Sequence, residues 1–123
     1  MQAISFGYVK AAVTNVPVPM ASVLAAMGLP ADLKVAELSF SPLVANTGLA
    51  YVGLDSTAPQ AKGSAMNVTS GLNTLKQVQA ASAGKQDFVT ISSKQNSNDV
   101  RVADYAMTAT VAGEGFSVTG YIN

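Results

Sequence analysis

Residues Val35 to Leu54 read VAELSFSPLVANTGLAYVGL, and the fold turns on how they are interpreted. Leu38 and Phe40 share one side of an extended segment. Pro42 and Asn46-Thr47-Gly48 supply turn chemistry, and Leu49 to Leu54 opens a second extended segment with apolar residues on both faces. The stretch therefore reads as a β-hairpin with a long loop. Pro42 lacks an N–H and belongs at a strand end, while Asn46 and Gly48 are able to take the positive φ values of a chain reversal. The rest of the chain has to cover the hairpin's apolar face.

Upstream, Ala3 to Val9 sets Ile4, Phe6 and Tyr8 against Ser5 and Gly7, the two-residue period of a half-buried strand. Ala11 to Pro19 carries two prolines among β-branched residues and suits an extended connection or edge, so residues 1–19 read as an extended arm or edge strand. Met20, Val23, Leu24 and Met27 then fall on one face of a short helix over residues 20–29. Pro19 suits its first turn, Gly28 a left-handed end and Pro30 a stop. A methionine stripe at this spacing is read as core, with a sticky surface for a partner as the alternative.

Downstream, Asp55 to Ser64 is a polar loop, Ala65 to Val68 a short strand and Ser70-Gly71 a turn. Leu72 to Ala80 fits either a strand or a short helix, and Ala81 to Gln86 is a polar connection. Phe88 to Ser93, a polar turn at residues 95–99, and Val100 to Val111 read as a second hairpin. In its return segment Val100 and Val102 lie on one face while Tyr105, Met107, Ala109 and Val111 lie on the other. A bulge or a bend between two sheets near Ala103 reconciles them. Met107 to Ile122, turning at Gly113-Glu114-Gly115, reads as a third hairpin. Seven or eight short strands with one helix give a mainly β fold: an antiparallel β-sandwich or jelly-roll-like barrel. Its 123 residues suit a single domain, 1–123.

The composition narrows the chemistry. Cysteine and histidine are both absent, so disulfides, zinc-thiolate sites, thiol nucleophiles and imidazole bases are all excluded. Without a histidine base no serine triad forms. Ser92-Ser93-Lys94 lacks the Ser-x-x-Lys spacing, and Lys62-Gly63-Ser64 lacks the upstream glycine of a phosphate loop, position 58 being Ala58. Asp32, Glu37, Asp55, Asp87, Asp99, Asp104 and Glu114 are scattered and read as turn or solvent groups. Asp104 is the exception, an acid to be partly buried and paired with Arg101 or a lysine.

Lys10, Lys34, Lys62, Lys76, Lys85, Lys94 and Arg101 are spread singly, so no nucleic-acid face is expected. For sugar recognition only Tyr8, Tyr51, Tyr105 and Tyr121 are on offer. No catalytic, cofactor or metal residue is assigned, no residue is singled out as a partner contact, and no enzyme activity is expected. MQAISFGYVK lacks a secretion signal, and no run reaches the roughly 18–20 apolar residues of a membrane span, so cytoplasmic synthesis without membrane association is expected. Charged residues make up only 11% of the chain, against roughly 25% in ordinary domains, and the net charge is +0, which favours a life in an assembly.

Leu38 to Gly53, with its Asn46-to-Gly53 core NTGLAYVG, resembles small structural proteins of tailed bacteriophage virions. In those chains a strand leads through an Asn-x-Gly turn to a "YVG" or "YIG" strand and then to a polar loop. Asp55 to Gly63, Met66 to Gly71 and the FVTISS/VRVADY pair continue the likeness, which spans roughly Met20 to Tyr105; Ser70-Gly71 stands where such chains carry Pro-Gly. The resemblance implies a decoration or cement protein that binds between major capsid subunits, forms dimers or trimers and resides in the virion. Its alternative is a receptor- or carbohydrate-binding module of a fibre or tail. It carries over no catalytic residue.

Overall fold

The computed structural model describes residues 2–14, 16–43, 45–55, 72–79, 89–93 and 97–123. The expected loop at residues 56–64, strand at 65–68, turn at 70–71 and connection at 81–86 lie outside them. The described elements are β1 (Gln2–Lys10), β2 (Val18–Pro19), α1 (Met20–Met27), β3 (Lys34–Val35), β4 (Glu37–Pro42), β5 (Leu49–Asp55), β6 (Leu72–Gln79), β7 (Val89–Ser92), β8 (Val100–Arg101), a 3₁₀ turn (Val102–Asp104), β9 (Tyr105–Ala109) and β10 (Gly115–Ile122).

Two four-stranded antiparallel sheets form, in the orders β1-β10-β4-β7 and β2-β9-β5-β6, with a small β3-β8 ladder beside them. Strands that follow one another in the chain mostly fall in opposite sheets, which is the strand order of a jelly roll. Phe6, Val9, Leu38, Phe40, Phe116 and Val118 of the first sheet share one core with Ala50, Val52, Met107 and Ala109 of the second. The mainly β sandwich with one helix is thus as expected.

All three hairpins, however, are corrected. β4 pairs with β10 and β7, whereas β5 pairs with β6 and β9, so Val35 to Leu54 crosses from one sheet to the other. In the second, β7 joins β4, β8 joins β3 and β9 lies in the other sheet. In the third, β9 and β10 again belong to different sheets. The reason is common to them. Alternation dictates which side chains turn inward, and Leu38 and Phe40 are equally buried whether Ala50 and Val52 sit beside them or face them across a gap of about 10 Å. The bend expected near Ala103 does exist, as the 3₁₀ turn separating β8 from β9.

Local chemistry explains the remaining details. α1 ends where Gly28 adopts φ 71° and ψ 22°, with Leu29 N–H donating to Leu24 O at 2.9 Å, so it stops two residues before Leu29. Met20 and Leu24 are buried, but Met27 is 44% exposed, so the stripe is only partly core. In β1 the register slips between Ser5 and Gly7, with Gly7 at φ 74°. This bulge turns Val9 inward and leaves Tyr8 72% exposed, where unbroken alternation would have buried it. β9 ends at Ala109, so Val111 is exposed and not on the core face. Leu72–Gln79 resolves as a strand, β6. Phe40 and Phe116 meet edge to face, with centroids 5.7 Å apart, an arrangement worth about 0.5–1.5 kcal/mol beyond burial.

Candidate interaction surface

Two regions combine polar or apolar groups in a way the core does not require. The first is one end of the sandwich, where the three sheet crossings meet. Asn46 is buried; its Nδ2 donates to Gly115 O at 2.8 Å and its Oδ1 accepts from Gly115 N–H at 3.2 Å. Leu43 N–H also reaches Gly115 O, at 3.1 Å, so the Asn46 amide extends the ladder past Pro42, which has no N–H to give. Glu114 accepts from Thr47 N–H at 2.7 Å, Thr47 Oγ1 at 2.9 Å and Gly48 N–H at 2.9 Å. Its other neighbour is the first crossing: Ala11 N–H donates to Glu114 O at 2.9 Å, and Gly113 N–H to Ala11 O at 2.7 Å.

Slight burial raises the Glu114 pKa, but the bonds from Gly48 and Thr47 outweigh it and hold the carboxyl below its ordinary 4.5. Asn46-Thr47-Gly48 was expected to reverse the chain through positive φ. Gly48 does not take a positive φ, and the segment is held by the bonds of Asn46 to Gly115 and of Thr47 and Gly48 to Glu114. Glu114 was read as a plain turn residue; its enclosure by Gly113 and Gly115 marked a tight turn but gave no sign of its partners.

The second region runs along β1, which is an edge strand: among the described residues it pairs only with β10. Between it and α1 lies an open groove of about 390 Å³, lined by Phe6, Tyr8 and Val9 on one side and Val18, Val23 and Met27 on the other. Lys10 is the only charged residue on its wall. Of the five large apolar side chains exposed among the described residues, Tyr8, Val13, Val16 and Met27 lie within residues 8–27. Unassembled domains rarely concentrate apolar surface in this way.

Among the described residues the acids do not gather into a site. Among the described residues no group of three acids could hold a metal ion. Asp104 is buried and lies 4.0 Å from Arg101 Nη1, the ion pair expected for it, although it sits in the 3₁₀ turn and not in a strand. Burial first, and the Asp104 charge second, raise the neighbouring Tyr105 phenol above 10.0. Asp32 and Asp99 are exposed and Glu37 is half-buried on β4. The tyrosines are spread: Tyr8 on the β1 edge, Tyr51 buried in β5, and Tyr105 and Tyr121 half-buried in β9 and β10. No helix among the described residues is long and apolar enough to cross a membrane. Comparison with family models, curated proteins and solved structures yields no match.

Proposed function

We propose that this chain is a non-enzymatic structural protein of a tailed-phage virion, a decoration or cement subunit that binds between major capsid subunits and stabilises the shell. The observation that carries the reading is the apolar groove beside the β1 edge that no described strand covers, with Tyr8 and Met27 exposed on its walls. A surface of this kind binds by covering apolar area and completing backbone pairing, and it requires no reactive group. Repeated over many sites on a lattice, small contacts add up to a stabler shell. Two further features favour it: the jelly-roll strand order, which viral capsid domains also use and which counts as analogy only, and the weakly charged, neutral composition.

The test mixes purified protein with tailed-phage shells assembled without a decoration subunit and reads retention on sedimentation and the temperature of shell rupture. Retention on shells but not on unassembled capsid protein, with a raised rupture temperature, is expected. No retention on any shell overturns the proposal.

A further inference from the structure

We propose that the edge of β1 left unpaired among the described residues pairs with β1 of a second copy of this chain, antiparallel and centred on Val9, making the protein a two-fold dimer. The phase of the existing ladder specifies which backbone groups are available. Ala11 N–H donates to Glu114 O and Leu43 N–H donates to Gly115 O, which places the Ala11–Glu114 and Val9–Phe116 pairs in the hydrogen-bonded phase between β1 and β10. The N–H and C=O of Tyr8 and Lys10 therefore point away from β10, toward the open edge. Upstream the slip between Ser5 and Gly7 ends this run, so the usable edge is short and symmetric about Val9.

That symmetry singles out the occupant. A two-fold axis at Val9 sets Tyr8 of one copy opposite Lys10 of the other, twice, and each pair is able to exchange both backbone bonds. Tyr8 and Lys10 side chains share the exposed face of the strand, so each ammonium lies across from a phenol ring and not from another ammonium. The contact would also cover Tyr8 and Met27, the exposed apolar groups of the groove, in both copies at once. With a net charge of +0 the two copies carry no long-range repulsion. The dimer covers the same edge and groove that the proposed shell contact uses, so on a shell a capsid subunit takes the place of the second copy; a dimer that ignores capsids leaves the pairing intact, and a protein that binds them yet never dimerises in solution overturns it.

The experiment is sedimentation velocity of the full chain over a wide concentration range, with amide hydrogen exchange on the same samples. The expected result is a shift on concentration from 12.5 kDa to twice that mass. With it, exchange should slow at Tyr8 and Lys10, while the Val9 amide, bonded to β10, stays protected throughout. Tyr8→Pro removes the outward N–H and the exposed phenol without touching a backbone bond to β10, and Met27→Lys places a charge on the covered patch; both should remain folded by circular dichroism and lose the dimer. A monomer at every concentration overturns the proposal. So does a dimer in which Tyr8 and Lys10 still exchange fast, because another surface or partner mode would then be responsible. A folded Tyr8→Pro protein that still dimerises overturns it equally. Should Tyr8→Pro fail to fold, Met27→Lys and the wild-type exchange decide.

Discussion

Asn46 and Gly115 exchange two hydrogen bonds, Nδ2 to the glycine carbonyl at 2.8 Å and the glycine N–H to Oδ1 at 3.2 Å, joining two crossings far apart in sequence. An amide side chain here imitates a strand neighbour. Removing it by Asn46→Ala strands a buried N–H, which costs about 1–3 kcal/mol. Urea unfolding should show that loss, and a change within about 0.5 kcal/mol of wild type would mean that another group takes its place.

Glu114 predicts a pH dependence of definite sign. Its folded pKa lies below the ordinary 4.5, so the stabilisation is complete above about pH 4.5 and is lost as pH falls through the folded value. Because the group is largely solvated, the effect is small, about 0.5 kcal/mol after screening. Glu114→Gln should therefore be slightly less stable than wild type at pH 7, with the gap closing toward pH 3 in thermal melts. A gap that widens on acidification contradicts the assignment.

Two glycines should respond very differently to alanine. A Cβ on Gly115 would overlap the Val9 carbonyl, a backbone atom that cannot swing aside, so Gly115→Ala should cost more than about 4 kcal/mol or abolish folding. At Gly7 a Cβ meets nothing, and only the φ of 74° opposes it, at about 1–2 kcal/mol. Equal losses in denaturant titrations would be incompatible with the close approach at Gly115.

Thr108 offers a stabilising change. Among the described residues its fully buried Oγ1 has no hydrogen-bond partner. Thr108→Val keeps the shape and removes the unpaired hydroxyl, and it should raise stability by about 1 kcal/mol, read as a higher melting temperature.

These positions also show what the sequence made legible. The alternation through Leu38 and Phe40, and through Phe116 and Val118, reported burial correctly, and Pro19, Gly28 and Pro30 bounded the helix because each acts within one turn of itself. Strand partnership was not legible, since it depends on residues far away in the chain: nothing local to Asn46 announces that its partner is Gly115. The interaction surface was legible only as the alternative reading of the methionine stripe, for a related reason. Ile4, Phe6 and Tyr8 look equivalent until the bulge at Gly7 turns Tyr8 outward, and because Tyr8 and Val9 are adjacent and both apolar, no change of parity marks it as one did near Ala103. Met27 looked like core because periodicity places a residue on a helix face without revealing how far the neighbouring strand extends.

The central claim is that this protein works by contact through the β1 edge and its groove. Hydroxyl-radical footprinting of Tyr8 and Met27, comparing dilute protein with its assembled form, tests it most directly, because both side chains oxidise readily when exposed. Both should lose most of their reactivity on assembly while half-buried Tyr121 of β10 keeps its own. Tyr8 and Met27 remaining as reactive in the assembly as in dilute solution would contradict the claim.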